Sequence, residues 1–161
     1  MKNIVLIIAG GVGARMGQDI PKQFINVYDK PVIVYTLEAF QKHPSIDAIE
    51  VVCLDGWHDV LWAYAKQFGI AKLENIVSGG KNGQDSIRNG LYDIASRHNG
   101  SDDIVLVHDA IRPMVSNDII SDNIRVCRQY GNAITVVPCT AAMLKTCLLY
   151  TSPSPRDISG S

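Results

Sequence analysis

Two short runs, Ile4-Val5-Leu6-Ile7-Ile8 and Ile104-Val105-Leu106-Val107, restrict the fold more than any other feature of the chain. Both are apolar without alternation and rich in β-branched residues, so neither face of either run can be left in water. Strands of that kind belong to parallel sheets covered on both sides. With Asn3–Ala9 and Ile104–His108 as their full extents, further strands are expected at Ala48–Leu54, Asn75–Val77 and Ala133–Val137. The intervening segments have helical spacing. Pro31–His43 sets Val34, Leu37 and Phe40 near one face behind an entry proline. Trp57–Phe68 repeats apolar residues at 57, 61, 64, 65 and 68. Gln84–Ser96 aligns Ile87, Leu91, Ile94 and Ala95, and Ser116–Tyr130 aligns Ile119, Ile120, Ile124 and Cys127. Strand and helix alternate along the chain, which predicts an α/β fold of three layers with a mostly parallel sheet in the middle. The 161 residues suit one domain with one core.

Ligands of such sheets bind beyond the carboxyl ends of the strands, and three loops there carry chemistry. The first is Ala9-Gly10-Gly11-Val12-Gly13-Ala14-Arg15-Met16, continuing to Pro21-Lys22-Gln23-Phe24. Glycines bring backbone N–H groups close to a ligand, and clustered N–H dipoles favour anions. Arg15 and Lys22 add fixed positive charge suited to a polyphosphate whose charge shifts during reaction. The loop reads as a triphosphate clamp, against the alternative of a glycine-rich turn with solvated charges. A dinucleotide fingerprint fails, because Met16 stands where the third glycine belongs and the acid closing the second strand, near Asp55, comes too late. No Gly-Lys-Ser/Thr follows either, so a Walker loop fails too. The second loop is Val107-His108-Asp109-Ala110-Ile111-Arg112-Pro113. Asp109 offers hard oxygen ligands suited to Mg²⁺ shared with phosphate oxygens, while Arg112 can pair with a phosphate or with Asp109 itself. His108 reads as structural. The third loop, Ser78-Gly79-Gly80-Lys81-Asn82-Gly83-Gln84-Asp85-Ser86, again runs from strand end through a glycine pair into a helix. Gly79 and Gly80 leave room for a base or ribose, and Ser86 sits in the first turn of the helix.

Composition narrows the partners. Hydrophobic residues make up 47% and charged residues 19%, with a net charge of −1, so no global positive field draws the protein to nucleic acid or to an anionic membrane. No apolar run approaches the ~20 residues of a membrane span. The amino terminus enters a strand without a charged-then-apolar leader, which predicts a cytoplasmic location. Cys53, Cys127, Cys139 and Cys147 form no C-x-x-C pair and no zinc spacing. Cys53 and Cys127 read as small buried hydrophobes, without disulfides. His43, His58 and His98 read as surface residues near helix ends.

Taken in order and spacing, Ala9–Met16, Pro21–Phe24, Gly79-Gly80 with Ser86, and His108–Pro113 resemble the 2-C-methyl-D-erythritol 4-phosphate cytidylyltransferase family, whose close relative is ribitol-5-phosphate cytidylyltransferase. The resemblance covers residues 1 to 146. It implies a Rossmann-like nucleotidyltransferase fold of the nucleotide-diphospho-sugar transferase type, transferring CMP from CTP to a polyol phosphate with release of pyrophosphate and with Mg²⁺ as cofactor. Carried over by position, it implies Arg15 and Lys22 as transition-state stabilisers. It makes Ala9, Gly10, Gly11, Gly13, Gly79, Gly80, Ser86 and Ala110 nucleotide contacts, Asp109 the metal ligand and Arg112 a substrate contact. Gly83 departs from the pattern where family members often have arginine. The family's chain continues for roughly another third, which supplies the arm of a homodimer and residues gripping the polyol phosphate. Residues 147–161 have neither period. Cys147–Asp157 resembles a reading frame through a sequencing adapter, so the domain is expected to end at Thr146; a natural flexible tail is the alternative. A CTP-binding module without turnover and a sugar-1-phosphate nucleotidyltransferase remain competing readings.

Overall fold

The computed structural model describes residues 1–11, 20–100 and 102–138. Along the chain, β1 (Asn3–Ala9) precedes a 3₁₀ turn at Lys22–Phe24 and a small antiparallel hairpin of β2 (Asn26–Val27) and β3 (Lys30–Pro31). Then come α1 (Val32–Lys42), β4 (Ala48–Cys53), α2 (His58–Gln67), β5 (Leu73–Ser78), α3 (Gly83–Arg97), β6 (Ile104–Asp109) and α4 (Asn117–Tyr130). The main sheet has the order β5-β4-β1-β6, and every pairing in it is parallel. The chain moves from β1 outward to β4 and β5, then returns to the far side of β1 for β6. The order therefore reverses between β1 and β6, where an open parallel sheet leaves a crevice.

Both faces of the sheet are covered, as the unbroken apolar runs require. Val5, Ile7, Ala9, Ile49, Val51 and Cys53 face α1, α2 and α4, which contribute Ile33, Leu37, Phe40, Leu61, Ile120 and Ile124 among others. Ile4, Leu6, Ala48 and Val52 point the other way, onto Ile94 and Ile87 of α3. At the centre of that contact is Gly90, whose absent side chain admits Leu6 and Val52; a Cβ there would lie 2.9 Å from Val52 Cγ2. Local chemistry sets the helix ends. Asn82 caps α3 by accepting the Asp85 N–H at 2.8 Å, and Ser116 caps α4 by accepting from Ile119. Gly131 closes α4 in the left-handed region, at φ +87°. Between β4 and β5 the register changes: Ile49 pairs with Leu73 but Glu50 with Asn75, leaving Glu74 as an extra residue.

Some expectations need correction. Ala133–Val137 forms no strand: it runs on from Gly131 without pairing, and Ile134, Val136 and Val137 are exposed. β-propensity supplies no ladder without a partner, and β6, the adjacent edge of the sheet, pairs only with β1 among the described residues. His43 is buried, not at the surface; its Nε2 lies 3.0 Å from Ser121 Oγ. Leu91 stands partly in solvent, and Gly90 occupies the stripe it was expected to complete. Cys53 is buried as expected, whereas Cys127 is half-buried. Residues 147–161 lie outside the described residues.

Candidate functional site

The carboxyl ends of the four strands are level. Ile8 pairs with Asp109, Ala9 with Cys53, and Cys53 with Ser78, so the loops after β1, β5 and β6 leave the sheet along one edge. The ladder also reaches into two of them: Gly79 N–H donates to the Cys53 carbonyl at 3.0 Å, and Ala110 N–H to the Ile8 carbonyl at 3.1 Å. Gly10 and Gly79 lie side by side. A Cβ on Gly10 would stand 3.6 Å from Gly79 Cα and 3.4 Å from Ser86 Oγ, ordinary contact distances, so one methyl group would fill the space between the two backbones and a larger side chain would not fit without a shift. At Gly11 a Cβ would meet nothing within 4 Å among the described residues.

Ser86 is buried, and its hydroxyl is committed to the third loop. It donates to the Asn82 carbonyl at 3.0 Å and accepts the Gly80 N–H at 2.9 Å. With its one proton used, Ser86 holds the Gly79–Gly80 backbone in shape. On the opposite side of β1, Asp109 ends β6 with its carboxylate half-exposed, and its Oδ2 accepts from Arg112 Nε at 2.7 Å. The structure thus realises the pairing of Arg112 with Asp109. His108 packs edge-on against Phe40 and places Nε2 2.9 Å from the Arg112 carbonyl, a structural role. Lys22 is half-buried in the 3₁₀ turn, which Phe24 anchors by stacking on Trp57 with centroids 4.5 Å apart. Gly13 and Arg15 lie outside the described residues.

Asp109 fits a Mg²⁺ ion only in one mode. No three His, Cys, Asp or Glu side chains converge among the described residues, which therefore offer no complete cage. A single carboxylate whose Oδ1 meets no donor among these residues suits an ion whose other ligands are phosphate oxygens and water. Burial pushes the Cys53 thiol up to about 11, which keeps it protonated and disfavours it as a nucleophile.

Two buried polar residues of this edge went unread in the sequence. Gln23 Nε2 donates to the Ala9 carbonyl at 2.7 Å and to the Gly11 carbonyl at 3.2 Å. Thr36 Oγ1 donates to the Ala110 carbonyl at 2.7 Å. Thr36 was legible only as a polar interruption of the apolar face of α1. A cavity of about 400 Å³ lined by Ser45, Ser121, Ile124, Arg125, Arg128 and Gln129 opens at the other end of the sheet, where Arg128 reaches Asn3. It has no part in this arrangement.

An open parallel sheet whose carboxyl edge carries glycine loops and a flanking carboxylate is an α/β arrangement of the Rossmann-like class. The family model described as IspD: 2-C-methyl-D-erythritol 4-phosphate cytidylyltransferase matches residues 3–148, and the chain belongs to that family. A ribitol-5-phosphate cytidylyltransferase of Lacticaseibacillus paracasei is 49% identical over 133 residues, covering 83% of this chain and 56% of that protein. A 2-C-methyl-D-erythritol 4-phosphate cytidylyltransferase of Clostridium botulinum is 41% identical over 146 residues, covering 90% and 62%. The crystal structure of the Francisella tularensis 2-C-methyl-D-erythritol 4-phosphate cytidylyltransferase superposes with a TM-score of 0.61 at 31% identity, covering 80% of this chain and 52% of that one. The chain thus spans little more than half the length of the relatives it matches.

Proposed function

We propose that the carboxyl edge of this sheet is the CTP site of a cytidylyltransferase that transfers CMP to a polyol phosphate. The apposition of Gly10 with Gly79 and Ser86, beside the Asp109 strand end, carries the reading. In the reaction an oxygen of the acceptor's phosphate attacks the α-phosphorus of CTP in line. The bond from that phosphorus to the bridging oxygen breaks, and pyrophosphate leaves with the electron pair. The acceptor is its own nucleophile, so the protein supplies position and charge.

Ala9, Gly10, Gly11 and Gly13 wrap the triphosphate with backbone. Gly79 and Gly80 present backbone to cytosine and ribose, with Ser86 beneath them and Ala110 lining the nucleotide. Arg15 and Lys22 hold the α-phosphate oxygens as charge builds on them. Asp109 would hold Mg²⁺, which when bound offsets the negative charge of the triphosphate. Arg112, released from Asp109, contacts phosphate. The family's name supports 2-C-methyl-D-erythritol 4-phosphate as acceptor, and with it isoprenoid precursor synthesis. The higher identity to the Lacticaseibacillus relative favours a second reading, ribitol 5-phosphate. No described helix is long and apolar enough to cross a membrane; a cytoplasmic, homodimeric enzyme is part of the proposal.

Calorimetric titration with CTP and Mg²⁺, beside pyrophosphate release with each acceptor, tests the reading. CTP binding and release with one acceptor support it and choose the pathway. Preference for UTP or GTP with a hexose 1-phosphate would replace it, and CTP binding without release from either acceptor would reduce it to a binding module.

A further inference from the structure

We infer that Gln23 and Thr36 are positioning residues that end the parallel ladder on either side of β1 and so leave the Gly10 N–H open to a phosphate. The inference rests on the CTP reading of this edge. Ala110 N–H bonds the Ile8 carbonyl, and in a parallel ladder the next step would carry the Gly10 N–H to the Ala110 carbonyl. That carbonyl is taken instead by Thr36 Oγ1 at 2.7 Å, from a side chain with no exposure. On the β4 side, Ala9 pairs with Cys53, and the Ala9 carbonyl is the acceptor through which the ladder would continue. Gln23 Nε2 takes it at 2.7 Å, from a side chain 2% exposed.

Two consequences follow for Gly10. Its peptide with Ala9 is trans, so drawing the Ala9 carbonyl onto Gln23 turns the Gly10 N–H the opposite way. Among the described residues neither the Gly10 nor the Gly11 N–H donates a hydrogen bond. An N–H beyond the end of a strand, held open by buried side chains, is an anion donor aimed before the ligand arrives. Gln23 directly follows Lys22, and its second bond, to the Gly11 carbonyl, ties the lysine's turn to the start of the glycine loop.

Thr36→Val tests the inference, because valine keeps the shape and removes the donor. The Ala110 carbonyl then lacks its partner, and the Gly10 N–H closes onto it. Amide exchange followed by NMR on the protein without nucleotide should show Gly10 protected ~5-fold more, the value of one ordinary hydrogen bond. CTP affinity should fall by a similar factor, and Thr36→Ser should restore both. A merely structural threonine would give faster exchange at Gly10 on substitution, and that result, or unchanged exchange, overturns the inference. If the valine variant does not fold, Gln23→Met serves instead. Protection should then appear at the Leu54 amide, the donor that the Ala9–Cys53 register assigns to the freed Ala9 carbonyl in a continued ladder, with weaker CTP binding; unchanged Leu54 exchange overturns the inference. A wild-type protein that does not bind CTP sinks the nucleotide reading, while the exchange measurements still decide what Gln23 and Thr36 do to the ladder.

Discussion

Glu50 is a buried carboxyl with an unsatisfied oxygen, and its burial has a measurable pH dependence. It sits on the α3 face of the central strand β4, between Ala48 and Val52, and is 1% exposed. Arg97 of α3 pairs with it, but Arg97 also serves Asp93 and Glu74, and Glu50 Oε1 has no partner among the described residues. Burial, with the Asp93 carboxylate adding to it and Arg97 opposing, pushes the Glu50 carboxyl up to about 8. A group raised by folding gives its full stability below its unfolded value, here 4.5, and loses it as pH climbs to the folded value. At ~1.4 kcal/mol per pH unit, the loss between pH 4.5 and about 8 reaches ~5 kcal/mol as a ceiling. Glu50→Gln removes the titration, while its amide carbonyl still accepts from Arg97 and its NH₂ donates to Asp93. Urea unfolding of both proteins at pH 5.5, 7.0 and 8.5 should show the variant gaining on the wild type with each step upward. Parallel stability curves, or a variant that loses ground as pH rises, would mean that Glu50 is ionised and held by Arg97, and the reasoning would be wrong.

Gly80→Ala puts a Cβ 2.7 Å from the Asp85 carbonyl carbon and 2.9 Å from Ser86 N, so the loop backbone must shift. CTP affinity should fall ~10–100-fold while the thermal midpoint barely moves, and unaltered affinity would show that this backbone does not touch the ligand. Gly90→Val drives two methyl groups into Leu6 and Val52 where α3 crosses the sheet; overpacking should cost ~1–3 kcal/mol in urea unfolding, and a neutral result would mean that α3 can back away. Arg15→Ala and Lys22→Ala should lower turnover by more than CTP affinity, in keeping with charge stabilisation gained in the transition state. Equal losses in both constants would assign these residues to ground-state binding.

The fold was legible where burial is two-sided. Ile4–Ile8 and Ile104–Val107 read as covered parallel strands, and the glycine loops read as strand-end sites because glycine lets backbone N–H groups come close to a ligand. What escaped was whatever depends on a partner. Ala133–Val137 has strand composition and no partner strand among the described residues, and the two-residue strands of the β2–β3 hairpin are too short to show a period. Gln23 and Thr36 look like surface residues in a sequence, since only the fold shows that a carbonyl lies beneath each. Gly90 interrupts an apolar stripe, and only the approach of Leu6 explains why.

The extra residue Glu74 has a consequence for the changes of length this sheet can absorb. It is looped out between the Ile49–Leu73 and Glu50–Asn75 pairs, and the ladder beyond it runs in step to Cys53–Ser78. Deleting it would let Asn75 follow Leu73 directly, with both pairs kept and Ser78 still opposite Cys53. The loop after β5 would leave the sheet where it does now. The bulge lies about four residues from the strand end, or ~13 Å, and works as slack that takes up one residue of length before it can disturb the carboxyl edge.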